Sequence, residues 1–163
     1  MGERGPVDYI QRTRDQYASL GYPPYAWVHN EAPPPFAALN KPLSQCKVGL
    51  IASGGIYRHG QIAFHFKDDL SYREIDRDAT NDELRATHFA YDLTDARSDP
   101  NVVFPLDTLR RCRDAGIFGE LNEHAYTFMG GIYSSRKVRD TLAPALAERV
   151  QADEVDVVVL VPV

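Results

Sequence analysis

The sequence is poor in cysteine and has no long apolar run. Its two cysteines, Cys46 and Cys112, are too far apart for a redox pair or a zinc knuckle, and two thiols are too few for a disulfide framework. No stretch approaches the roughly 20 apolar residues of a transmembrane helix. Residues 1–6 are charged rather than apolar, unlike a signal peptide. We therefore expect a cytoplasmic protein with ordinary thiols and no membrane partner.

Basic stretches and metal-ligand spacings are also missing. The chain has 18 Lys and Arg against 23 Asp and Glu, a net charge of -5, and the basic residues form no stripe that could neutralise phosphates. His29, His59 and His65 do not have the spacing of metal ligands on one helix face. These absences argue against a nucleic-acid partner and predict no metal site.

Proline is concentrated in one segment, residues 21–42. Proline fixes φ and removes a backbone donor, so neither a regular helix nor a central strand is expected there. Four aromatic residues, Tyr22, Tyr25, Trp27 and Phe36, are interleaved with the prolines. Large rings gain free energy only when they are covered, so we expect an ordered strap that lies over the domain or over a partner.

The rest of the chain predicts one α/β domain. Residues 7–20 have the apolar spacing of a short amphipathic helix, and with the strap they form an N-terminal segment, residues 1–46. Residues 47–163 alternate short apolar runs with helical segments, which is typical of βα units around a parallel sheet. A single hydrophobic core can serve this length.

The predicted fold is a doubly wound, mainly parallel sheet of about four strands, Rossmann-like or flavodoxin-like. The strands are expected at residues 48–52, 86–91, 125–129 and 155–161. The last run is apolar at nearly every position, which favours a central strand that is covered on both faces. Pro105 and Gly116 bracket a predicted helix over residues 106–115, and Pro144 should kink or restart the helix predicted over residues 135–151.

Two glycine loops are the first candidates for a binding site, because ligands of open α/β sheets bind beyond the carboxyl ends of the strands. Ser53, Gly54 and Gly55 follow the first strand, and Met129, Gly130 and Gly131 follow the third. The lack of Cβ atoms lets backbone donors approach a carboxylate or another anion. A plain tight turn is the alternative, since the first loop has neither the dinucleotide fingerprint nor the lysine of a P-loop.

A loop rich in polar residues follows the second predicted strand. His88 and Asp92 are candidate catalytic acid/base groups, because imidazole titrates near neutrality and a carboxylate can fix its tautomer. Tyr91 and Asn101 are candidates for substrate binding in the same region. The alternative is local: Asp92 as a turn or cap residue and His88 as a satisfied core side chain.

Several segments in a fixed order resemble the selenoprotein B component of the glycine/sarcosine/betaine reductases and the D-proline reductase family. The segments that carry the resemblance are residues 48–55, 71–75, 87–92, 99–107, 116–119 and 126–130. Together they cover about half of the chain.

The resemblance implies a reductase component that cleaves a C–N bond of a small amine or amino-acid derivative through a selenocysteine or cysteine. It implies a partner subunit that bears a pyruvoyl group, and no cofactor within this chain. In that family the redox residue lies just after an apolar strand similar to residues 155–163, and this sequence ends at Val163. Neither Cys46 nor Cys112 stands at a matching position, so we expect a truncated or split component without its nucleophile.

Two other functions stay open from the residues alone. One is a non-catalytic subunit that binds a small carboxylate or regulates a complex, and the other is an enzyme of different chemistry that uses His88 and Asp92 as acid and base. In each case residues 157–163 need another surface if they form a central strand, so we expect a homo-oligomer or a partner reductase subunit.

Overall fold

The computed structural model describes residues 8–24 and 28–163, and the chain divides into two compact units, residues 1–36 and residues 37–163. In the first unit, helix α1 spans Tyr9–Ser19. The carboxylate of Asp8 caps its N-terminus by accepting a hydrogen bond from the amide of Gln11. The predicted N-terminal helix is present, but none of its residues is buried.

The predicted strap is described only in part, because Tyr25 and Trp27 lie outside the described residues. Tyr22 is exposed and Phe36 is 96% exposed, so neither of these two rings is covered. Their cover by a partner chain stays a prediction.

The second unit is an α/β domain. Its strands are β1 Lys47–Ala52, β2 Ile56–Arg58, β3 Arg73–Asp76, β4 Leu84–Ala86, β5 Glu120–Leu121, β6 His124–Thr127 and β7 Val157–Val161. Its helices are α2 Thr94–Ser98, α3 Leu106–Asp114, α4 Ser135–Lys137 and α5 Ala143–Ala152, with a π-helical segment Val138–Leu142 between the last two and 3-10 turns at Leu43–Gln45, Asn81–Glu83 and Pro100–Val102. No helix among the described residues is long and apolar enough to span a membrane.

Strand β1 lies at the centre of the main sheet. One of its edges pairs in parallel with β7, from Val48 opposite Val157 to Ala52 opposite Val161. Its other edge pairs in parallel with β5 near its start and with β6 near its end, and β3 pairs antiparallel with β6. The expectation of a mainly parallel sheet of about four strands is confirmed at this level.

Two strand predictions are wrong. Residues 86–91 do not form a parallel strand: β4 ends at Ala86 and pairs antiparallel with β2 in a separate two-stranded sheet. Strand β7 pairs only with β1 among the described residues, and Leu160 is 68% exposed, so it is an edge strand and not a central one. An apolar run indicates that the two faces of a strand are partly covered by side chains. It does not indicate whether one or both edges of the strand are paired with other strands.

The helices cover both faces of β1. Val48, Leu50 and Ala52 belong to one buried cluster, and Ile51 packs on the other side against the cluster of Tyr126, Leu142 and Leu146. The helix predicted from residue 106 is α3, followed by Gly116 with φ of +73°. Pro144 lies in the first turn of α5, directly after the π-helical segment, so the α-helical hydrogen-bond ladder changes where the proline amide is missing, and a kink and not a separate helix is the outcome.

Candidate functional site

The first and third predicted loops meet at the carboxyl ends of β1 and β6. The Gly55 amide donates to the carbonyl of Phe128 at 3.0 Å, and the Gly130 amide donates to the carbonyl of Ser53 at 2.9 Å. Gly54 forms a bridge with Met129. These two loops therefore lie side by side at one edge of the sheet.

Close backbone packing explains the glycines in these loops. Gly55 has φ of +69°, and a Cβ atom at this position would lie 1.9 Å from the carbonyl oxygen of Thr87. A Cβ on Gly130 would lie 3.0 Å from the side chain of Ser53. The amides of Ser53, Gly55 and Gly130 are all bonded to protein carbonyls, which favours a tight-turn role for the loops over an anion nest. Any ligand would have to be held mainly by neighbouring side chains.

Two hydrogen bonds hold the polar loop that contains His88 and Tyr91 against the glycine loops. The Thr87 amide donates to the carbonyl of Gly55 at 2.9 Å, and the Tyr91 hydroxyl donates to the carbonyl of Gly54 at 2.8 Å. The rings of His88 and Tyr91 lie 4.7 Å apart. Burial raises the pKa of Tyr91 above its usual value. All three loops thus converge at one edge of the sheet, although residues 87–91 are not a strand.

His88 is a buried, neutral hydrogen-bond donor. It is only 6% exposed, and burial holds the pKa of its imidazole below the usual value of 6.5. Its Nδ1 accepts a hydrogen bond from the amide of Ala90 at 3.0 Å, so the proton of the neutral ring resides on Nε2. No described residue pairs with that N–H group. A buried donor without a partner is costly, so it is a candidate contact for a ligand.

Asp92 and Asn101 take local roles. Asp92 accepts hydrogen bonds from the amide and the hydroxyl of Thr94, and these bonds lower the pKa of its carboxyl group. Asn101 donates its side-chain amide to Asp99. Asp92 therefore acts as a turn residue, and no hydrogen bond joins it to His88 among the described residues. These contacts are those of the local alternative, and a catalytic role for Asp92 stays a prediction.

The end of β7 also reaches this edge of the sheet. The Val163 amide donates to the Ser53 hydroxyl oxygen at 2.9 Å. The side chain of Val163 lies near Gly54, where an added Cβ would be 3.5 Å from Val163 Cγ2. Because β1 and β7 are parallel neighbours, both end beside the first glycine loop.

Sequence reasoning missed an exposed aromatic cluster next to His88. The Phe89 ring stacks on His88 with centroids 5.7 Å apart, and it lies 6.4 Å from both Phe66 and Tyr133. Phe89 rests against Gly131, where a Cβ would lie 2.3 Å from the ring. The paired glycines at 130 and 131 were the only sequence signal for such close packing.

The cysteines lie outside these loops. Cys46 is fully buried and its thiol donates to the carbonyl of Pro42 at 3.4 Å. Cys112 is half-buried on α3 and packs against the main apolar cluster. Among the described residues, no three His, Cys, Asp or Glu side chains are grouped closely enough to hold a metal ion.

Comparison with known proteins identifies a family. The family described as glycine/sarcosine/betaine reductase selenoprotein B matches residues 26–163. D-proline reductase subunit gamma of Acetoanaerobium sticklandii is 29% identical over 128 residues, which cover 78% of this chain and 53% of that protein. Glycine reductase complex component B subunit gamma of Symbiobacterium thermophilum is 31% identical over 127 residues, covering 74% of this chain and 29% of that protein.

A further relative is sarcosine reductase complex component B subunit beta of Peptoclostridium acidaminophilum. It is 31% identical over 103 residues, which cover 60% of this chain and 23% of that protein. The chain thus spans about half of the D-proline reductase subunit and less than a third of the two component B subunits. No solved structure matches the chain.

Proposed function

We propose that this chain, which belongs to the glycine/sarcosine/betaine reductase selenoprotein B family, is the substrate-side part of a multi-subunit reductase that cleaves the C–N bond of a small amine or amino-acid derivative. Its similar proteins are named as subunits of D-proline, glycine and sarcosine reductases. All three compounds combine an amine with a carboxylate, so we infer a substrate of that class.

The hydrogen bond between Val163 and Ser53 carries this proposal. It holds the end of β7 at the first glycine loop, one loop away from His88, whose buried Nε2–H has no partner among the described residues. A selenocysteine or cysteine that entered next to Val163 would supply the nucleophile for C–N cleavage. Cys46 and Cys112 lie elsewhere, so we propose that neither is the redox residue.

His88 would act in this site as a donor and not as a base. Its Nδ1 lone pair is already used by the Ala90 amide, and its depressed pKa keeps the ring neutral at pH 7. A neutral N–H donor in a buried setting suits a carboxylate oxygen or another anionic group. Tyr91 is tied to Gly54 and would position the loop beside the ligand.

We also propose that the active complex contains a second subunit, which carries the pyruvoyl group. This chain would hold no cofactor of its own. The exposed β7 edge and the exposed aromatic cluster around Phe89 are the two surfaces that such a subunit could cover.

Ligand titration followed by NMR tests the proposal. Glycine, sarcosine, betaine and D-proline are added separately to the ¹⁵N-labelled chain. At least one should give saturable shifts confined to the loops at residues 53–55, 87–91 and 129–131. His88→Leu, which removes the donor, should weaken binding by about tenfold or more, whereas His88→Gln should retain part of it. His59→Ala, an exposed histidine outside the loops, is the matched control.

Three outcomes would reject the substrate site: no saturable shifts with any of the four compounds, shifts spread over the whole surface, or His88→Leu binding as the unmodified chain does. Replacement of both cysteines by serine should leave the binding unchanged, because neither thiol lies in the loops. Loss of binding in that double variant would show that the redox assignment is wrong.

A non-catalytic subunit that binds a small carboxylate is the second candidate. It is favoured by the positions of the two cysteines, which leave the loops without a thiol among the described residues. Both candidates predict the same binding, so reconstitution separates them. The chain is added, together with a polypeptide that supplies the selenocysteine or cysteine, to a family reductase whose own corresponding component has been removed. Turnover should return only if the chain is a catalytic component, and the polypeptide without the chain is the control.

A further inference from the structure

A cavity is lined by residues of helix α2, of the antiparallel pair of β2 and β4, and by Thr87. Its volume is about 440 Å³, within the usual range for small-ligand sites. Leu84, Ala86 and Ala96 form its apolar base, and all three are buried.

The other lining groups are polar, and two of them are cationic. Arg85 and Arg97 lie at the cavity together with Tyr57 and Thr87, and no carboxylate is among the lining residues. Tyr57 and Arg85 are directly opposite each other in the antiparallel pair of β2 and β4, so their side chains project on the same face as neighbours. The charged groups that line this cavity are therefore all positive, although the net charge of the chain is -5.

The two guanidinium groups differ from most arginines of the domain in lacking an acidic partner. Arg58, Arg110, Arg111, Arg113, Arg139 and Arg149 each pair with a carboxylate. In contrast, Arg85 donates only Nη1, to the carbonyls of Asp82 and Leu84, both at 2.7 Å. The Arg97 side chain makes no hydrogen bond or ion pair with any described residue, and only its main-chain amide is bonded, to the carbonyl of Leu93. The Arg85 side chain is therefore held in place by Nη1 while its other N–H donors are unbonded. All the N–H donors of the Arg97 guanidinium are available to a ligand.

We propose that this cavity binds a small oxyanion, a carboxylate or a phosphate, between Arg97 and Arg85. A planar guanidinium matches two oxygens of either group through paired N–H donors. The Tyr57 and Thr87 hydroxyls add neutral donors on the rim. Since Arg97 is exposed, the electrostatic part of the binding is screened by salt.

This anion site is separate from the glycine-loop site, but Thr87 contacts both of them. The Thr87 amide bonds to Gly55, and its carbonyl packs against the Gly55 Cα. His88 is the next residue along the chain. An anion that contacts Thr87 would therefore also fix the backbone that carries His88, and signals from residues 87–91 should respond to it.

Titration with inorganic phosphate and, separately, with sodium acetate tests the proposal, at constant ionic strength held by chloride. NMR signals of the Arg85 and Arg97 Nε–H groups and of the amides at residues 84–87 and 94–98 should shift saturably. Arg97→Gln should weaken binding by about tenfold or more. Arg97→Lys should lose less, because it keeps the charge but not the paired donors. Arg14→Gln, an exposed arginine of α1, should bind as the unmodified chain does.

The two anions distinguish the source of the ligand. Tighter binding of phosphate than of acetate assigns a phosphorylated ligand, and the reverse order assigns a carboxylate. The proposal is overturned if neither anion gives saturable shifts, if the Nε–H signals of arginines throughout the chain move together, or if Arg97→Gln and Arg85→Gln both bind with unchanged affinity. Arg85 and Arg97 are exposed, so a thermal unfolding curve should show that these variants fold normally.

Discussion

The Val163 amide donates a hydrogen bond to the hydroxyl oxygen of Ser53, two residues that are 110 positions apart in the chain. The bond connects the end of an edge strand to the first turn after the central strand. It adds a side-chain contact to the parallel pairing of β1 and β7, which ends at Ala52 and Val161. A ligand or a protein segment that binds at the end of β7 therefore lies beside the first glycine loop. The same loop also contacts Thr87, Tyr91 and Gly130.

Ser53→Ala should loosen the end of β7. The substitution removes the acceptor of the Val163 amide, and a hydrogen bond of this kind contributes about 1 kcal/mol. Amide exchange at Val163 should accelerate about fivefold, while the amides in the middle of β1 keep their protection. Ser98→Ala, at the exposed end of α2, is the control. Equal exchange rates at Val163 in both variants would mean that the contact with Ser53 contributes nothing.

Gly55→Ala should destabilise the domain strongly. The new Cβ would meet the Thr87 carbonyl at 1.9 Å in a backbone conformation with φ of +69°, so steric overlap adds to backbone strain. We expect a loss of about 3 kcal/mol or more in the free energy of unfolding by urea. Gly60→Ala is the matched control, because Gly60 also has positive φ but open space around it. It should lose only about 1 kcal/mol, and a similar loss in both variants would refute the steric argument.

Local sequence signals were enough to predict the helices, turns and strands whose ends are marked by particular residues nearby in the chain. Pro105 and Gly116 bracket α3, and a capping box between Thr80 and Glu83, three residues apart, holds the turn Asn81–Glu83. The apolar run of β1 stands between a polar segment and two glycines. In each case the determining interactions are made within a few residues, so a pattern along the chain can report them.

Non-local contacts account for what the sequence could not predict. The run from Thr87 to Tyr91 resembles a strand, but its first amide is taken by Gly55 and the Tyr91 hydroxyl by Gly54. The position of β7 at the edge depends on which strands are present beside it. Asp92 offered either a catalytic or a local role, and the pattern along the chain does not show that its carboxylate accepts hydrogen bonds from Thr94.

The stability of the domain should depend on pH through Glu83. Hydrogen bonds from the Thr80 amide and from Arg58 lower the pKa of its carboxyl group from 4.5 to about 2. A depressed folded-state pKa means that the stabilisation is complete above pH 4.5 and disappears as the pH falls towards 2. Glu83→Gln keeps a capping side chain without the charge. The stability difference between the two proteins should therefore shrink between pH 4.5 and 2 in urea titrations.

Glu148→Gln on the exposed side of α5 is the control for the effect of net charge. Its side chain makes no hydrogen bond or ion pair with a described residue, so this variant removes one carboxylate and no contact. If Glu83→Gln and Glu148→Gln respond alike to pH, the pairing of Glu83 with Thr80 and Arg58 does not determine acid stability.

The chain should self-associate at micromolar concentration through the free edge of β7. This edge carries only valine and leucine over Val157–Val161, without the lysine, proline or bulge that usually protects an edge strand, and Leu160 projects into solvent. Leu160→Glu places a charge on this surface without touching the core, so it should shift the sedimentation coefficient from a dimer or larger species to a monomer. Leu39→Glu, at another exposed apolar position of the same unit, should leave the association unchanged. A monomeric unmodified chain, or equal dissociation in both variants, would show that β7 does not form the contact.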